Sequence, residues 1–109
     1  MKFTVEKKEI SEALSLVASV AEKRQSIPVL SNILLKAEKE GLTLIATDLE
    51  IELTFKIPKI ELDSKGETTV SARKLADLVR SVPEDTVLTF ELLESQLEIS
   101  ALKFQADFS

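Results

Sequence analysis

Twice along this chain a short alternating run leads directly into an amphipathic stretch with helical spacing, and each time further alternating runs follow. Lys2 to Glu6 points Phe3 and Val5 one way and Lys2, Thr4 and Glu6 the other, which predicts a strand. From about Lys8 to Glu22, Ile10, Ala13, Leu14, Val17 and Ala21 make an apolar stripe with the period of a helix. Three strand-like runs come next: Asn32 to Glu38, Leu42 to Thr47 after a turn at Gly41, and a third in which Ile51, Leu53, Phe55 and Ile57 alternate with Glu52, Thr54 and Lys56. Pro58 to Lys65 is polar, breaks the pattern and reads as a link. The order then recurs as a strand from Glu67 to Ser71, a helix from Ser71 to Val82, and strands from Thr86 to Leu92 and Gln96 to Ser100. A last run places Leu102, Phe104, Ala106 and Phe108 on one side. The expectation is one α+β domain of two βαβββ units, residues 1–58 and 66–109. Each helix needs antiparallel sheet to cover its stripe, which sets the two helices side by side on one face.

The second helix carries the clearer chemistry. Ala72, Leu75, Ala76, Val79 and Val82 fall together, while Arg73, Lys74, Asp77, Arg80 and Ser81 fall opposite, with Ser71 placed to cap and Pro83 to stop. Its outer face is therefore mostly basic. The first helix instead gathers Lys8, Ser11, Glu12, Ser15, Ser19, Glu22 and Lys23 on its polar side. Serines at i, i+4 and i+8 form a low ridge that admits a close neighbour and offers it hydroxyls. An ordinary solvated face, with Asp77 pairing Arg73 and Arg80 at helical spacing, is the plainer reading of the same letters.

Composition then limits what such a face serves. Histidine, cysteine, tryptophan and tyrosine are all absent, which removes most general acid–base and nucleophilic groups, so no catalytic residues, metal site or cofactor are expected. The carboxylates of Asp48 and Glu50 read as turn chemistry rather than metal ligands. A formal charge of −5 argues against bulk attraction to nucleic acid, yet the charge is segregated: Glu84 to Glu98 contains acids and neither lysine nor arginine. No apolar run approaches the ~20 residues that cross a membrane, and the opening lacks a leader pattern, so a cytoplasmic protein without membrane contact is expected.

Three stretches then resemble a known family. Arg24-Gln-Ser-Ile-Pro-Val-Leu-Ser-Asn-Ile-Leu-Leu, Ala46-Thr-Asp-Leu-Glu-Ile-Glu-Leu and Val70-Ser-Ala-Arg-Lys-Leu-Ala-Asp-Leu-Val-Arg-Ser-Val-Pro are similar to the first domain of the bacterial DNA polymerase III beta subunit, a sliding clamp. Met1-Lys-Phe-Thr-Val-Glu matches as well. The resemblance runs to about Ser100. It implies the DNA clamp fold and a non-catalytic role in replication. Helices would line a ring around double-stranded DNA, sheets would form the outer wall, and the ring would keep the polymerase in place. Arg24 and Arg73 match the family's DNA-contacting arginines, and Lys23 and Arg80 lie beside them on the polar helix faces. A clamp has to hold DNA without stopping on it, which suits a few phosphate contacts that read no bases.

Beyond Ser100 the chain departs from the family pattern, being shorter and without a turn glycine. The groove that receives polymerase and clamp-loader peptides belongs to later domains, so it is not expected here. The resemblance places Lys74 and the terminal edge carrying Leu102, Phe104, Ala106 and Phe108 towards a subunit contact. Two alternatives follow: copies of the chain close into a ring, or the edge strand covers its own core. A clamp-fold scaffold that does not itself hold DNA is the competing function.

Overall fold

The computed structural model describes residues 1–21, 32–47 and 50–103. Among these, β1 (Lys2–Glu6) runs without a break into α1 (Lys7–Ala21), and β2 (Asn32–Glu38), β3 (Gly41–Thr47), β4 (Glu52–Ile57) and β5 (Glu61–Ser64) follow. β6 (Gly66–Ser71) then enters α2 (Ala72–Ser81), which is succeeded by β7 (Thr86–Leu93) and β8 (Gln96–Lys103). All strand pairs are antiparallel, in two four-stranded sheets ordered β5-β1-β7-β8 and β4-β3-β2-β6.

Each sheet therefore contains the strand that precedes the other sheet's helix-linked meander. β1 leaves its own meander and pairs with β7, five residue pairs long, while β6 pairs with β2. Phe3 faces Phe90 across that join with ring centroids 4.8 Å apart and planes within 8°, both rings fully buried. One core results. It takes Ile10, Ala13, Leu14, Val17 and Ala18 from α1, Ala72, Leu75 and Val79 from α2, and the inward residues of both sheets.

Local chemistry sets the element ends. The hydroxyl of Ser71 accepts a hydrogen bond from the backbone N–H of Lys74 at 3.2 Å, capping α2, and the helix gives way to extended backbone at Val82, just ahead of Pro83. Gly41 closes the β2–β3 hairpin at φ +136, and a Cβ there would lie 2.5 Å from the Ile57 carbonyl oxygen, so both backbone angle and space demand glycine.

Three sequence-based expectations are corrected. Pro58 to Lys65 is not only a link, because β5 forms within it and pairs with β1. With Leu62 as its single inward apolar side chain, that strand has no alternation to display. The third run of the first meander begins at Glu52, leaving Ile51 outside the strand and 56% exposed. Finally, no break separates Ser100 from Leu102: β8 continues to Lys103, and strand parity decides the rest. Leu97, Ile99 and Ala101 pair with the inward residues Leu92, Phe90 and Leu88, so Leu102 pairs with Val87 on the outer face and is 71% exposed. Phe104, Ala106 and Phe108 lie outside the described residues.

Candidate nucleic-acid interface

The two helices pack against each other in antiparallel fashion, which both ends of the pair show. At one end the first residue of α1, Lys7, donates from Nζ to the carbonyl oxygen of Val82 at the end of α2, 2.7 Å away. Towards the other end Ser19 of α1 shares a groove with Arg73 of the first turn of α2. That groove is open and polar, about 460 Å³ in volume, and lined by Ser15, Ala18 and Ser19 from α1 with Arg73, Ala76, Asp77 and Arg80 from α2.

The lining explains the close approach. Ser15, Ala18, Ser19 and Ala76 are small, so the helix surfaces meet without a bulky side chain between them, and the longer side chains of α2 rise at the rim. Ser19 turns its hydroxyl back to the Leu16 carbonyl of its own helix at 2.8 Å, so its oxygen, rather than its proton, is available to a neighbour. Ser11 is half-buried and is not part of the lining. The ridge read from the sequence therefore contributes two serines to the groove.

Charge is unevenly committed along α2. The Arg80 guanidinium donates to the Asp77 carboxylate one turn earlier, both side chains being exposed. Arg73 is exposed and has no ion pair among the described residues. Lys74 is exposed but does not line the groove, consistent with its position on a different side of the helix. Lys23 and Arg24 lie outside the described residues.

Lys7 is the residue that sequence reasoning missed. It is only 6% exposed. Its ammonium sits at the C-terminal end of α2, where the last carbonyls lack helical partners and the helix dipole favours a cation. Glu84 lies 3.8 Å away but is itself well exposed, so the carbonyl is the stronger partner. No local signal marks Lys7, because its burial depends on the end of α2, far along the chain.

Among the described residues no group of His, Cys, Asp or Glu could hold a metal ion, and no helix is long and apolar enough to cross a membrane.

Comparison with known proteins gives a consistent answer. The family description matching residues 1–109 is "DNA polymerase III beta subunit, N-terminal domain". The beta sliding clamp of Pseudomonas aeruginosa is 42% identical over 101 residues, covering 93% of this chain and 28% of that protein. That of Escherichia coli K12 is 36% identical over 92 residues, covering 84% of this chain and 25% of that protein. Among solved structures, Caulobacter crescentus pol III beta superposes with a TM-score of 0.87 at 37% identity, over 94% of this chain and 28% of its own. The P. aeruginosa DNA polymerase III subunit beta gives a TM-score of 0.86 at 40% identity, over 93% and 27%. The chain thus spans little more than a quarter of the length of these relatives.

Proposed function

Because the chain belongs to the DNA polymerase III beta subunit family, matching its N-terminal domain, we propose that it acts as one non-catalytic segment of a ring around duplex DNA that tethers the replicative polymerase. The observation that carries this reading is the shared groove, where an uncommitted Arg73 and a tethered Arg80 stand beside Ser15 and Ser19 on the wall formed by both helices. Long cationic side chains above a floor of small groups suit a passing phosphate backbone, since they reach it without inserting into either base groove. Lys23 and Arg24, the next basic residues of the chain after α1, are further phosphate contacts in this proposal.

The net charge of −5 fits the same task. Attraction confined to one wall centres the duplex, while the acidic remainder, including Glu91 and Glu98 on the outer face of the β5-β1-β7-β8 sheet, disfavours binding elsewhere. Ring formation belongs to the proposal as well, with Lys74, Leu102 of β8 and the Phe104, Ala106 and Phe108 that follow it in the chain meeting a further clamp domain or copy. So does the internal repeat of residues 1–58 and 66–109.

Fluorescence anisotropy of a labelled duplex, read across a salt series, tests the DNA reading. Arg73→Ala should weaken binding and flatten the log–log salt dependence by roughly 0.9, the contribution of one phosphate contact. Equal affinity and slope for wild type and Arg73→Ala would favour a scaffold that leaves DNA alone.

A further inference from the structure

We infer that Asp77 is an attenuator of this surface: it holds the α2 wall of the groove at one net positive charge, so that the wall attracts a phosphate backbone without gripping it. The inference rests on the reading that the groove faces duplex DNA, and it concerns how tightly.

Among the described residues, Arg73, Asp77 and Arg80 are the ionisable side chains lining the groove, spaced i, i+4 and i+7, so they stand one above another on a single helical face. Asp77 lies between the two cations and already engages Arg80. The pair is exposed, with side-chain exposures of 69% and 56%, so the bond is weak and a phosphate oxygen competes for Arg80 easily. Losing Arg80 to a phosphate does not remove the carboxylate, however. It stays on the wall, now facing phosphates without a partner, and repels them over the short distances at which salt screens little. Among the described residues the α1 side of the groove adds no charge, since Ser15, Ala18 and Ser19 are neutral. Counterion release therefore follows the sum over the wall, in which two arginines and one aspartate leave a single unit. An α2 face with two uncancelled arginines would hold DNA more firmly and slow its passage.

The test compares the wild-type chain with Asp77→Asn, Arg80→Ala, the Asp77→Asn/Arg80→Ala double variant, Arg73→Ala and Glu98→Gln, each first confirmed as folded by circular dichroism. Glu98→Gln makes the same charge change on the outer face of a sheet, away from the helices. Binding of a labelled random-sequence duplex is measured from about 50 to about 200 mM salt. Asp77→Asn should steepen the log–log slope by about 0.9, which is a gain over wild type of about 3.5-fold across that fourfold range. The double variant should return to the wild-type slope, and Glu98→Gln should leave it unchanged. If Arg73→Ala weakens binding but Asp77→Asn behaves as wild type, the attenuator is refuted and the DNA reading survives. If Arg73→Ala has no effect, the DNA reading falls first. Failure of both wild type and Asp77→Asn to bind at the lowest salt overturns both.

Discussion

Replacing Phe3 by alanine should bring the fold close to its stability limit. Phe3 is fully buried, stacked 4.8 Å from Phe90, and it stands on β1, which lies between β5 and β7 and joins the first strand of the chain to a meander more than eighty residues away. Truncating a buried phenylalanine costs about 3–5 kcal/mol through lost transfer free energy and the cavity left behind. A domain of this size has about 5–15 kcal/mol in total, so the variant keeps a small remainder or none. Phe3→Leu keeps most of the volume and loses the stack, for about 1–2 kcal/mol. Urea titration followed by far-UV circular dichroism suits a chain without tryptophan or tyrosine, and the midpoint should fall with little change in m. A cycle of Phe3→Leu with Phe90→Leu should return a coupling of about 0.5–1.5 kcal/mol. Leu102→Ala is the contrast, an apolar residue in the same sheet but 71% exposed on its other face, with an expected change within about 0.5 kcal/mol. A cost below about 1.5 kcal/mol for Phe3→Ala, or a larger cost for Leu102→Ala than for Phe3→Ala, would refute the packing argument and the parity assigned to β8.

Thr86 is 3% exposed and its hydroxyl finds no hydrogen-bond partner among the described residues, so Thr86→Val should raise stability by about 1 kcal/mol; a lower urea midpoint would contradict that. Gly41→Ala should cost about 2–3 kcal/mol, because φ +136 and the Ile57 carbonyl oppose any Cβ at once, and a near-neutral thermal melt would show that the hairpin relaxes freely. Ser71→Ala removes the cap on α2 and should cost about 1 kcal/mol, with faster amide exchange confined to the first turn of that helix as the distinguishing readout.

Both helices were legible in the letters, because a 3.6-residue period over ten or more positions is a local property that survives whatever the rest of the chain does. Ser71 and Pro83 marked the ends of α2 for equally local reasons, a hydroxyl able to reach the Lys74 amide and a ring that forbids continuation. The basic face of α2 was legible too, and so was the segregation of acids beyond Glu84. What could not be read was commitment: Arg73 and Arg80 look alike on a helical wheel, yet only Arg80 is engaged by Asp77.

Other features depended on distant neighbours. β5, with Leu62 alone pointing inward, is a strand only because the free edge of β1 pairs with it. Lys7 is buried only because the end of α2 presents the Val82 carbonyl to it. Leu102 faces out rather than in because β8 keeps the register set by Leu97 and Ile99 against β7, and one residue of parity reverses a face. Periodicity, caps and charge order are written within a few neighbouring residues. The partner that each strand edge, helix end and junction side chain meets is chosen by contacts far apart in the chain, which is why the groove emerged only once α1 and α2 were packed together.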